Sequence, residues 1–268
     1  MEVVTVLFTG LIALITPAGY VVDRGLEGAI RSQFKTVEQL QVRVDNAPSY
    51  QIIQGKADRV RIAGRGLFPI PELRIAALEL ELDRVELDPS SLGQRPRWTR
   101  PLQAGVRVVL TQTDLNQALR SPALTAQLRN LAISLPNFPQ AQQVQRYDFL
   151  NPQVTFLHPN RFRFQVEFQE QGFPDKLLIT LEASINVVAG SQIQITDPIA
   201  RVNNELVPDR IVNSFVNGVN QQFDLRRLEI SGLTVRVLKF NLKAGQEVEL
   251  AAFVRAEANQ MATLLTPP

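Results

Sequence analysis

Apolar and polar residues alternate over most of the chain beyond Val37, and a period of two predicts β-strands with one apolar and one wet face. The clearest run is Arg161 to Gln169, where Phe162, Phe164, Val166 and Phe168 interleave with Arg161, Arg163, Gln165, Glu167 and Gln169. A second run, Leu177 to Val187, places Leu177, Ile179, Leu181, Ala183, Ile185 and Val187 on one face. Shorter runs lie at Leu102 to Leu110, Gln192 to Thr196, Leu233 to Val237 and Val248 to Ala256. Gly172, Gly190 and Gly245 fall between runs as turn residues, which predicts a meander of hairpins.

Between Leu73 and Leu87 the phase changes twice: Leu73 and Ile75 are odd, Leu78, Leu80 and Leu82 even, Val85 and Leu87 odd. A one-residue slip turns every later side chain to the other face, so each change predicts a bulge or bend and the strand should curl. Three segments read as helices. Tyr20 to Lys35 carries a stripe of Val22, Leu26, Ile30 and Phe34. Thr111 to Leu131 has a start signal at Thr113-Asp114-Leu115-Asn116 and a second start at Ser121-Pro122. Pro208 to Phe223 places Pro208 in the first turn and Ile211, Val212, Phe215, Val216, Val219 and Phe223 on one side.

Val3 to Val22 is almost unbroken apolar sequence, approaching the roughly 20 residues of a bilayer span. Its densest part, Val3 to Ile15, also has the size of a signal-peptide core, with Thr16-Pro17-Ala18 offering small residues for cleavage. The expected organisation is an apolar leader or anchor at 1–19, one α+β domain at 20–260 and a tail at 261–268. Glu2 precedes the run, while Arg24, Arg31 and Lys35 follow it, a pattern that by the positive-inside tendency favours a cytoplasmic domain. Cleavage would favour export. Membrane association is common to both, and the expected placement is extracytoplasmic, on a periplasmic or lumenal side.

With 45% hydrophobic and 20% charged residues, the 268-residue chain has an ordinary globular composition, and its net charge of +2 argues against a nucleic-acid partner. Cysteine is absent, which removes disulfides, thiolate metal sites and cysteine nucleophiles. The one histidine, His158, precedes Pro159 and Asn160 and reads as a strand-to-turn junction. No P-loop, dinucleotide fingerprint, nucleophile elbow or metal-ligand spacing occurs. Gly64-Arg65-Gly66 has no helix after it to cradle a phosphate and reads as a turn or sheet-edge bend. Glu79 and Glu81 project from the wet side of a strand, where solvation accounts for them. No enzyme, cofactor or metal is expected.

The order of several segments carries a resemblance. Asp58-Arg59-Val60-Arg61-Ile62-Ala63-Gly64-Arg65-Gly66 is followed by the leucine-rich strand Ile75 to Leu87. Then come Pro101-Leu102-Gln103-Ala104 and Leu110-Thr111-Gln112-Thr113-Asp114-Leu115-Asn116-Gln117-Ala118-Leu119. Together with Val21-Val22-Asp23-Arg24 after the leader, this is similar to the LmeA-like phospholipid-binding family, especially its cyanobacterial branch, over roughly Tyr20 to Phe253. The leader departs from the family, whose relatives often carry a basic first segment where this chain has Glu2. The resemblance implies a fold distantly similar to tubular lipid-binding domains: a long curved antiparallel sheet wrapped around amphipathic helices, with phospholipid or another acyl lipid as ligand and the membrane as partner.

The residues themselves offer one apolar surface for an acyl chain: Phe162, Phe164, Val166, Phe168, Leu177, Ile179 and Leu181 from strands, facing Ile211, Phe215, Val219 and Phe223 from a helix. Arg59, Arg61 and Arg65 near one bend, and Arg161 and Arg163 near another, read either as scattered solvated arginines or as contacts for a phosphate headgroup, whose geometry the guanidinium fork matches. Two functions remain open. One is binding and transfer of lipid in an apolar groove at the cell envelope. The other is a membrane-tethered scaffold with a fully packed core and a protein partner whose identity the sequence does not give.

Overall fold

The computed structural model describes residues 27–28, 30–46, 51, 54–91, 97–122, 125–126, 147–157 and 160–258. The leader, the tail, His158, and Val22 and Leu26 of the first expected helix lie outside the described residues, as do Leu124, Leu128 and Leu131. Ile30 of that first helix is fully buried. Among the described residues no helix is long and apolar enough to cross a membrane.

The chain runs through β1 (Thr36–Asp45), β2 (Lys56–Ala57), β3 (Arg59–Ile70), β4 (Leu73–Leu82), β5 (Val85–Glu86) and β6 (Leu102–Thr111). After helix α1 (Gln112–Leu119) come β7 (Tyr147–Leu157), β8 (Arg161–Glu170), β9 (Lys176–Val188), β10 (Gln192–Val202) and β11 (Glu205–Leu206). Helix α2 (Asp209–Gln222), a 3-10 turn at Leu225–Ser231, β12 (Leu233–Lys243) and β13 (Glu247–Ala256) follow. Antiparallel sheet dominates and helices are few, as the alternation predicts. The described residues fall into two compact units, one drawn from 1–109, 225–239 and 249–268, the other from 110–224 and 240–248.

The first unit is built on an open six-stranded sheet of order β1-β3-β4-β6-β13-β12, with a ribbon of β2 and β5 beside it in sequence. Its registers place Val42, Ile62, Leu80 and Val106 in one row across four strands, and Val44, Val60, Leu82 and Ala104 in the next. Ile62, Val60, Leu80, Leu82, Val106 and Ala104 are all buried, as are Leu233, Val235, Ala252 and Val254 of the last two strands. The opposite face is charged: Arg59 pairs with Glu81 and Arg107 with Glu79, so the two glutamates are ion-paired as well as solvated.

The first phase change arises where Gly66 takes a left-handed φ of 58°, between the pairs Arg65↔Ala77 and Leu67↔Ile75. That kink swings Leu67 beneath Gly64, where a Cβ would stand 2.7 Å from Leu67 Cδ1. The glycine pair is therefore a bend inside an interior strand, and the turn and sheet-edge alternatives are corrected. The second change is no bulge in a continuous strand. β4 ends at Leu82, and Val85 and Glu86 pair instead with Ala57 and Lys56.

The second unit holds an open five-stranded antiparallel meander of order β11-β10-β9-β8-β7. Gly172 and Gly190 turn the chain between its strands with φ of 89° and 66°, and Asn203 and Asn204, both at positive φ, close the β10–β11 hairpin. Two X-Pro steps sit inside strands. Asn151, before Pro152, and Asp197, before Pro198, have φ of 51° and 49° at register shifts in β7 and β10. Each adds one residue as a bulge, which tolerates a proline that cannot donate to the ladder. The apolar face therefore continues from Phe149 to Val154 and from Ile195 to Ala200.

Helices α1 and α2 of this unit each pair a strand residue from the side. Asn116 of α1 accepts from the Val154 N–H at 2.6 Å and donates to its carbonyl at 2.9 Å. Asn220 of α2 does the same for Ile195, at 2.8 and 3.0 Å. Each carboxamide thus replaces a neighbouring strand at an otherwise open edge. The cap of α1 is Thr111, whose hydroxyl oxygen accepts from the Asp114 N–H, so the helix starts ahead of the expected Thr113 signal. The Thr125 N–H donates to the Ser121 carbonyl, in keeping with the second start. Pro208 caps α2, one residue before its first turn.

Candidate functional site

The apolar side chains of the five-stranded sheet form cross-strand rows. Phe156, Phe162 and Ala183 make one; Val154, Phe164, Leu181 and Ala200 a second; Val166, Ile179 and Val202 a third; Phe149, Phe168 and Leu177 a fourth. Phe149 and Phe168 meet edge-on with ring centroids 4.3 Å apart. The strand residues expected to line a groove, Phe162 to Phe168 and Leu177 to Leu181, therefore share one continuous face.

Burial along that face is uneven. At the Phe156 row the face is closed: Val154, Phe156 and Leu242 form a buried cluster, with Leu115, Leu119, Phe162, Ile185, Phe240 and Val248 packed against it. Further along, Phe164, Phe168, Ile179, Leu181, Ala200 and Val202 are only half-buried, and Leu177 is 37% exposed, although Val166 and Phe149 are buried. Each apolar Å² left in contact with water forgoes about 25 cal/mol, so a half-wet row of Phe, Leu and Ile has stabilisation still to gain from a second apolar surface.

The helical residues are placed differently from the strand ladder. α2 is seated along β10, and β9 stands between β10 and β8. Val219 is buried, Phe215 and Phe223 are half-buried, and Ile211 is exposed. The carbonyl of Phe223 accepts from the Ile193 N–H at 3.3 Å, which fixes the helix end against the strand.

The five arginines are divided between the two units. Arg161 and Arg163 are out of phase with the phenylalanines and lie on the opposite face. There Glu182 holds both, Arg163 through Nη2 at 2.6 Å and Arg161 through Nε at 3.9 Å. Arg59, Arg61 and Arg65 belong to β3 in the first unit. Arg61 binds Asp45, whose carboxyl is held below its ordinary range by hydrogen bonds from Arg61 and then Arg43. Arg65 is exposed.

Sequence reasoning missed a concavity of about 540 Å³ on the charged face of the six-stranded sheet. Small residues on three strands, Ala63, Gly105 and Ala251, line it beside Arg61, Arg107 and the exposed Leu238. The signal was present as small residues interrupting the charged positions of β3 and β6. Near this face the buried Glu249 accepts from Lys239 at 2.9 Å and from Arg107 Nε at 2.7 Å. These bonds, Lys239 foremost, lower its carboxyl to about 2.

The family model for LmeA-like phospholipid-binding matches residues 13–251. The chain belongs to that family. No curated protein and no solved structure matches it. Membership in the LmeA-like phospholipid-binding family supports lipid binding in general, and the family is described by binding rather than by a reaction.

Proposed function

We propose that this protein binds phospholipid or another acyl lipid along the half-buried face of the five-stranded sheet and transfers it at a membrane of the cell envelope, without catalysing a reaction on it. The observation that carries this reading is one continuous apolar face whose rows have buried β7 or β8 members, Val154, Val166 and Phe149, but leave Phe164, Phe168, Ile179 and Leu181 half-buried and Leu177 exposed. Asn116 pairs Val154 of β7 and Asn220 pairs Ile195 of β10, so the backbone at these two positions is already satisfied. A chain laid along the rows would gain about 0.8 kcal/mol per buried CH₂. Phe215 and Phe223 of α2 supply the neighbouring wall, and the leader keeps the domain beside the bilayer.

Native mass spectrometry of the full chain, prepared without detergent, should find lipid at stoichiometric levels. Replacing Phe164 or Phe215 with Trp should lower lipid uptake while the protein stays folded. Lipid-free preparations that also fail to bind fluorescent phospholipid would remove the reading. A second reading, a membrane-tethered scaffold with a protein partner, is favoured by one observation: the exposed Leu238 beside the concavity on the six-stranded sheet.

A further inference from the structure

We infer that the end of the five-stranded sheet carrying the β8–β9 turn is the end that enters a lipid surface; the inference rests on the lipid-binding reading and assigns where the lipid is exchanged. Three large apolar side chains project there. Phe173 in the β8–β9 turn is 59% exposed, Leu177 at the start of β9 is 37% exposed, and Leu206 in β11 is 66% exposed. They are neighbours by topology. The Leu178 N–H donates to the Asn203 carboxamide oxygen and the Asn203 N–H to the Leu178 carbonyl, both at 2.9 Å, which ties the start of β9 to the β10–β11 turn.

The opposite end of the same sheet is capped by protein. The Gly245 N–H donates to the Phe156 carbonyl at 2.9 Å, the Leu242 N–H to the Asn160 carboxamide at 2.9 Å, and the Ile193 N–H to the Phe223 carbonyl at 3.3 Å. The tied end leaves Val188 exposed, while the other displays a phenylalanine and two leucines.

The directions of these side chains select the partner. Leu177 stands opposite Phe168 and belongs to the apolar face. Leu206 stands opposite Arg201, which faces Thr180 and then Gln165, so it belongs to the charged face. A protein laid on either face would cover one of them. A bilayer entered end-on surrounds both, with the Phe173 ring at the boundary between headgroups and acyl chains. Leu177 also continues the half-buried rows, so an acyl chain leaving the bilayer at this end meets the proposed binding face without crossing water.

The test uses the full chain and a local readout, because the leader alone could hold the protein on vesicles. Phe173→Trp and Val188→Trp, the latter an exposed position at the other end, are each compared with the parent protein, whose single Trp98 is buried. Vesicles are of phosphatidylcholine and phosphatidylglycerol with brominated acyl chains. Emission from position 173 should shift to the blue and be quenched, and emission from position 188 should not. Absent quenching at 173, or equal quenching at both positions, overturns the inference and leaves a protein partner for this end. Phe173→Asp combined with Leu206→Asp should slow transfer of a fluorescent phospholipid from vesicles about tenfold or more, as expected for the loss of two apolar anchors. Uptake of a short-chain monomeric phospholipid should be unchanged in that variant, and loss of both together would also overturn it. Quenching at 173 in a protein that never takes up lipid would keep the docking end and remove the carrier reading. Lipid uptake without quenching would do the reverse.

Discussion

In the six-stranded sheet, Ile62 and Leu80 stand side by side at 2% exposure, with Val106 buried next to them. In the five-stranded sheet, the comparable row keeps Phe164, Leu181 and Ala200 half-buried, with Val154 buried at its edge. Both rows come from the same sequence device, an apolar residue at every second position. They differ in what lies over them. In the first sheet Val60, Ile62, Leu80, Leu82 and Val106 are buried while Val42 and Val44 of β1 are half-buried, with Leu225 and Leu228 of the 3-10 turn among the unit's buried residues. The phenylalanine-rich rows of the second are covered only in part: Phe156, Val154, Val166 and Phe149 are buried, while Phe164, Phe168, Ile179 and Leu181 are half-buried. Alternation therefore tells which face is apolar, and it does not tell whether the protein itself fills the space above that face.

The sharpest way to break this comparison is to truncate equivalent leucines. Leu80→Ala should cost about 2–5 kcal/mol, as buried leucines do. Leu181→Ala should cost less than about 2 kcal/mol, because only part of its area leaves water on folding. Hydrogen exchange on the flanking strands separates the two sheets, and equal losses would mean that both faces are closed cores.

Enlarging the same rows probes the space from the other side. Ile62→Phe should destabilise by about 1–3 kcal/mol through overpacking. Phe164→Trp should leave stability nearly unchanged and reduce lipid uptake per folded molecule. A drop in melting temperature with unchanged uptake would place Phe164 in a filled core.

The edge seals sharpen the comparison further. Asn220→Ala and Asn116→Ala each leave a strand N–H and carbonyl unpaired, at a cost of about 1–3 kcal/mol. Amide exchange should accelerate at Ile195 in the first variant and at Val154 in the second, while the six-stranded sheet stays protected.

The smallest effect is the pH dependence carried by Glu249 in the six-stranded sheet. Glu249 is held near 2 when folded, below the ordinary carboxylate value of 4.5. Its ion pairs with Lys239 and Arg107 therefore contribute stability above about pH 4.5, and this is lost as pH falls toward 2. Glu249→Gln should lower the melting temperature at pH 7, and the gap from the parent should close on acidification.

Much of the fold was legible. β8 and β9 appear within one residue of the expected bounds, because their alternation is unbroken. β10 was read only to Thr196, since Asp197-Pro198 resembles a stop. The structure makes that step a bulge with positive φ at Asp197 and continues to Val202. Asn151-Pro152 acts in the same way in β7. Propensity registers a proline as a break, whereas pairing on either side of a bulge restores the strand.

For the candidate site, the strand residues were legible because cross-strand neighbours follow from parity. The seat of α2 was not. It is fixed by the Asn220 carboxamide bonding the edge of β10, a side-chain-to-backbone contact that leaves no period in the sequence. The arginines show the same limit: parity put Arg161 and Arg163 on the charged face, but it could not reveal that Glu182 would hold both.

The central claim is that an acyl chain lies on the face bearing Phe164, Phe168, Ile179 and Leu181. It is tested most directly by loading the full chain with a phospholipid that carries a diazirine in its acyl tail, irradiating, and mapping adducts by mass spectrometry. The account predicts adducts on β8 and β9 at those residues, suppressed by excess unlabelled phospholipid. Adducts confined to the charged face of the six-stranded sheet, or absent from β8 and β9 in a protein that has taken up lipid, would contradict it.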